Sequence, residues 1–214
     1  MSKKTDLIKV LQGYMTIYEN AQAGVKQYRE DSQYSEEGKK AWIESIMNRL
    51  ATETLVYHDK AIKIIDDGLN ALEAKWKKNS IGRATDGGYQ AGLANVIKML
   101  EIGAIRDADD IKNIIDTYSE DFNAMAAIRR ILVDCENGVL RDCISLIPED
   151  YREKNRELLG RLKAGISKYI NVNRNSAILD TTMFLYGLTG VVVGLEGQVQ
   201  FLQDRLDDDL ELLH

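Results

Sequence analysis

The stretch EEGKKAWIESIMNRLATETLVYHDKAIKIIDDGLNALEAKWKK, residues 36–78, decides the fold class. It holds no Pro, and Ile43, Met47, Leu50, Thr54, Tyr57, Ala61 and Ile64 recur at alternating steps of four and three. Leu69, Leu72 and Trp76 prolong the same apolar side. Such spacing puts one face of an α-helix into a seam, the heptad pattern of helices that pair along their length. Ser35 offers an N-cap, Glu36 and Glu37 suit the positive helix start, and Lys75, Lys77 and Lys78 suit the negative end. Unbroken, the segment spans roughly 60 Å at the α-helical rise. A compact domain of this length is only about 35 Å across, so the spacing predicts an elongated bundle.

Upstream, Leu7, Leu11, Tyr14, Tyr18, Ala21 and Val25 repeat the same alternation behind Thr5 and Asp6, both good N-cap residues. Asp31-Ser32-Gln33 marks the turn between the two helices. Downstream, the glycines and polar residues of Asn79 to Gly88 interrupt the period and form a linker. Shorter helices follow, around Leu93, Ile97 and Leu100, then Ile111 to Tyr118, then Phe122 to Leu132. Gly103 is placed to end the first of them as a left-handed C′ residue. Pro148, the only proline, suits the first position of a helix carrying Leu158, Leu162, Ile166 and Ile170. Asn171 to Asn175 forms a second break. The expectation is an all-α chain in three parts. Residues 1–78 form a long helical hairpin, 89–170 a compact cluster of shorter helices, and 176–214 a C-terminal helix.

Composition narrows the function. The net charge of −6 is wholly C-terminal, since Ile178 to His214 holds seven acids against Arg205 alone. A neutral body with an acidic end gives no electrostatic reason to seek nucleic acid. Cys135 and Cys143 lack the spacing of a zinc or redox motif, and with no apolar leader at the N-terminus a cytoplasmic setting is expected. Between Asp180 and Glu196 lie fifteen uncharged residues, short of the ~20 that cross a bilayer. No membrane is expected as a partner. His58 is the one internal histidine and has no Glu three residues before it, so neither a di-iron site nor a catalytic triad is expected. Gly82 to Gly88 lacks the Gly-Lys-Ser/Thr ending of a phosphate loop. No enzyme activity and no cofactor follow from these residues.

One feature invites an interaction role. Gly187, Gly190, Gly194 and Gly197 share a helical face, and four glycines cost a helix about 1 kcal/mol each relative to Ala. Such a seam lets another backbone approach closely. Leu188, Val192, Leu195, Val199, Leu202 and Leu206 continue a helical stripe beside it, although β-branched residues between Thr181 and Val193 also suit extended chain. The candidate interface is Gly187, Gly190, Gly194, Gly197, Leu195, Val199, Leu202 and Leu206, with tight packing of the glycine face inside this fold, or loops in place of helix, as the alternative reading. Asp207, Asp208 and Asp209 form a solvated acidic tail without the spacing of a calcium loop.

Local text adds a resemblance. Tyr34-Ser35-Glu36-Glu37 opening a charged helix, the run Tyr89 to Leu100, and Asp121 to Arg130 are similar to small helical head-assembly proteins of tailed phages of Gram-positive bacteria. The resemblance spans residues 34 to about 132. It implies a non-enzymatic scaffold or minor head component, found in the host cytoplasm or the virion, that associates with itself and with a shell protein. A helical adaptor or inhibitor that captures a host protein is the alternative.

Overall fold

The computed structural model describes residues 2–80 and 83–179, and beyond them Gly194, Leu195, Gly197, Val199 and Leu210. The protein is all-helical, with no strand among the described residues. Among the residues described without interruption, seven α-helices occur in order: α1 (Lys3–Glu30), α2 (Glu36–Asn79), α3 (Gly87–Glu101), α4 (Ala108–Tyr118), α5 (Phe122–Val133), α6 (Gly138–Asp142) and α7 (Arg152–Tyr169). Two 3-10 segments, Cys143–Leu146 and Val172–Leu179, follow α6 and α7.

The helix starts follow local chemistry. Ser2 accepts from Thr5 N, Ser35 from Gly38 N, Asp86 from Tyr89 N, Asp107 from Asp109 N, and Asp121 from Asn123 N and Ala124 N. Each satisfies a backbone donor that a helix start leaves open. At the end of α3, Gly103 takes φ +66°, and Ala104 N donates to Met99 O while Gly103 N donates to Leu100 O. That pairing closes the last turn and needs a left-handed residue. Pro148 does not open α7, whose first residue is Arg152. Instead the Asp150 carboxylate accepts from Arg152 N at 3.0 Å and binds the Arg152 guanidinium, so the local cap outcompetes the proline position.

The chain forms two compact units. The first comprises Met1–Asn70 with Glu153–Leu213, the second Ala71–Arg152 with His214. The division falls within α2 and at the start of α7, away from both sequence linkers. In the first unit α1 and α2 form an antiparallel hairpin. A Cβ at Gly13 would sit 2.6 Å from the Tyr57 ring, and one at Gly24 would sit 3.0 Å from Ile46. Eleven residues forward along α1 therefore match eleven back along α2, and small residues give α1 the notches into which Tyr57 and Ile46 fit. Helix α7 adds Leu159, Leu162 and Ile166 to this core, and Lys163 pairs with Asp66 at 2.7 Å.

Burial along the two long helices follows different periods. Helix α1 buries Lys4, Leu7, Leu11, Tyr14, Tyr18, Ala21 and Val25, alternating three and four. Helix α2 buries Ile46, Leu50, Thr54, Ala61, Ile65, Gly68, Leu72 and Trp76, with Tyr57 half-buried between. That set steps 4-4-3 and repeats every eleven residues, whereas Ile43, Met47, Ile64 and Leu69 are only half-buried at its flanks. An eleven-residue repeat lies closer to the natural helical period than a heptad, so the buried face stays aligned along α2 without left-handed supercoiling.

The second unit packs α3 to α6 around Ile111, Ile115, Met125, Ile128, Leu132 and Leu140. Its buried polar centre is Asp121, which caps α5 and also accepts the Tyr89 hydroxyl at 2.7 Å.

Candidate interaction surface

The turn of the α1–α2 hairpin carries an aromatic cluster. Tyr28, in the last turn of α1, stacks on Trp42 of α2 with ring centroids 5.2 Å apart and planes 5° from parallel. Tyr34, in the turn itself, meets Tyr28 edge-on at 5.4 Å. The turn is tied down from both sides: Asp31 Oδ1 accepts from Gln33 N at 2.8 Å, and Lys39 Nζ reaches Arg29 O at 3.4 Å and Glu36 at 3.0 Å. Trp42 is nevertheless 47% exposed and Tyr34 40% exposed. Rigid, amphipathic rings exposed at a turn are the side chains that anchor protein interfaces most effectively. Sequence reasoning passed over them. Their signal was present, since Trp42 lies off the apolar stripe on a charged stretch of helix, where an isolated core tryptophan has no place.

The glycine-seamed segment divides into inside and outside. Gly194 and Gly197 are helical and exposed, with open space where a Cβ would stand. Leu195 and Val199 point the other way and are buried, at 1% and 0% exposure. Leu210 is also buried, against Gly68 of α2. Gly187, Gly190, Leu202 and Leu206 lie outside the described residues. Of the seam's apolar partners, Leu195 and Val199 thus belong to the interior, while Gly194 and Gly197 lie on the outer surface.

Two constellations bring chemically capable side chains together. His58 Nδ1 lies 2.9 Å from Asp59 Oδ1, and its Nε2 lies 3.2 Å from Ser167 Oγ, the order of contacts in an acyl-transfer triad. Ser167, however, sits within α7, whose backbone N–H groups serve the helix. Asn171 Nδ2 donates to the carbonyls of Ser167 and Lys168, so it does not offer a donor to a developing oxyanion. Asp59 is 79% exposed, which weakens its hold on the imidazole. The contacts join α2 to α7. In the second unit a cleft of about 880 Å³ is walled by Leu100, Ile102, Arg106, Arg130, Cys135 and Leu140. Arg130 is paired there with Asp134 at 3.4 Å, and the wall sets Cys135 between Asp134 and Glu136 in sequence, with no histidine to activate the thiol. Among the described residues no group of His, Cys, Asp and Glu is arranged to hold a metal. No helix among them is long and apolar enough to cross a membrane.

Tyr89 and Tyr14 are both strongly shifted among the described residues. Burial, with the hydrogen bond and charge of Asp121 adding to it and Arg83 opposing, pushes the Tyr89 hydroxyl up to about 12. Burial likewise takes Tyr14 up to about 12. Both stay neutral at physiological pH and serve as structural groups.

Comparison with known proteins leaves the geometry to stand alone: no family model, no curated protein and no solved structure matches this chain.

Proposed function

We propose that this protein is a non-enzymatic helical assembly protein, acting through helix-mediated contacts with copies of itself and with a shell protein, as a phage head scaffold or accessory virion component. The observation that carries this reading is the exposed Tyr28–Tyr34–Trp42 cluster held rigidly at the turn of a hairpin whose second helix runs 44 residues. A helix of that length extends about 66 Å and presents the cluster as an anchor. Anchors of this kind contribute most of the binding energy at interfaces, and their rigidity lowers the entropy lost on docking. The exposed Gly194 and Gly197 add a second surface on which a backbone can seat closely. The resemblance of residues 34 to about 132 to phage head-assembly proteins supplies the biological setting. The same aromatic anchor also suits a helical adaptor that captures one host protein, which is the second reading.

Light scattering across a concentration series tests the first reading, with Trp42→Ala as the paired variant. Mass should rise with concentration for the wild type, and Trp42→Ala should weaken association at least tenfold while leaving the helical circular dichroism unchanged. A chain that stays monomeric at high concentration and is not retained by a shell protein overturns it. Retention of one host protein in place of a shell protein favours the adaptor.

A further inference from the structure

At one level of the first unit, α1, α2 and the 3-10 segment Val172–Leu179 each contribute a buried polar side chain. These are Tyr14, Thr54 and Asn175, exposed by 0%, 0% and 2%. Asn175 Nδ2 donates to Thr54 Oγ1 at 3.0 Å, and Thr54 donates to Leu50 O at 2.7 Å. The Tyr14 hydroxyl is buried beside the Thr54 side chain and makes no hydrogen bond of good geometry among the described residues. On α1 the level is preceded by Leu7 and Leu11 and followed, past Tyr18, by Ala21 and Val25, and on α2 it is flanked by Leu50 and Ala61, all buried. Arg174, next to Asn175, turns outward with its guanidinium 4.9 Å over the Tyr169 ring.

A level built this way adds little stability. A buried hydroxyl without a well-formed hydrogen bond costs stability, and replacing both members of a buried polar pair by apolar groups of the same shape is nearly neutral or stabilising. What the level does supply is discrimination. Sliding the segment by one residue, or seating a different helix there, strands the Asn175 amide and leaves Thr54 only its bond to Leu50 O. A single buried polar position uses the same penalty to set register and strand number in coiled coils. We infer that Tyr14, Thr54 and Asn175 form a specificity key that reserves the α1–α2 seam for the chain's own Val172–Leu179 segment and excludes the hairpin of a second copy from that place. The key acts inside one chain, so it does not rest on the proposed assembly role.

The test is the triple variant Y14F/T54V/N175L, followed by melting, light scattering and hydrogen exchange. It should melt higher than the wild type yet lose uniqueness, showing species of additional mass and at least tenfold faster exchange over residues 172–176. The exchanged pair T54N/N175T keeps a donor and an acceptor at the level and should hold the wild-type mass and protection. A triple variant that remains one species of wild-type mass with unchanged protection overturns the proposal. So does an exchanged pair as heterogeneous as the triple variant. Should the triple variant not fold, Asn175→Ala decides: a mixture of masses supports the key, and a single species of wild-type mass and protection overturns it.

Discussion

At the scale of single residues, this protein spends its buried polar groups on structure. Tyr14 and Tyr89 illustrate how, one inside the first unit and one bonded to a buried helix cap in the second. A freely exposed tyrosine releases its proton near pH 10, whereas these two hold theirs to about 12. Between those values the folded chain binds more protons than the unfolded one, so stability is fully present below pH 10 and is lost as the pH rises towards 12. A denaturant series at pH 8, 10 and 11.5 should show the midpoint falling over the last step. Tyr14→Phe should reduce that fall, and an unchanged slope would show that Tyr14 does not contribute. Such roles were only partly legible from sequence. Asp86, Asp107 and Asp121 lie directly before the helices they cap, because a cap is a contact with residues two or three positions away. The bond from Tyr89 to Asp121 crosses 32 positions, and no local pattern announces it.

At the scale of elements, helix class and approximate extent follow from periodicity, while the buried face of α2 does not. Ile43, Met47 and Ile64 fit a heptad as a string, yet the folded helix buries Ile46 and Ile65 instead. The sequence is apolar at both sets of positions, and the partner surface chooses between them. Helix α7 offers a cleaner test of intrinsic propensity. Gly160 lies in its interior, exposed, with nothing within 4 Å of an added Cβ. Gly160→Ala should therefore stabilise the protein by about 1 kcal/mol, raising the melting temperature by roughly 2–4 °C. A lower melting temperature would mean that the space at Gly160 is used by a contact. Gly13→Ala should not show this gain, because its Cβ would meet the Tyr57 ring at 2.6 Å.

At the scale of the whole molecule, the question is which surface meets a partner. If the exposed glycine face takes part, Gly194→Leu should lower the mass seen by light scattering at a given concentration, whereas Gly160→Leu, at an exposed glycine of another helix, should leave it unchanged. Equal effects would remove the glycine face from the interface and leave the aromatic turn as the anchor. What the sequence by itself determined was the all-helical class, the turn at Asp31 and the Ser35 cap of α2, whereas α1 is capped by Ser2 rather than Thr5 or Asp6. These depend on a single proline, on apolar residues recurring at helical spacing and on contacts between near neighbours, all properties of a short stretch of chain. Tertiary structure alone decided which flank of α2 is buried, that Leu195 and Val199 turn inward while Gly194 and Gly197 stay outside, and that Asn175 meets Thr54 across 121 positions. Those choices depend on the shape of the surface an element packs against. That surface exists only once distant segments have come together.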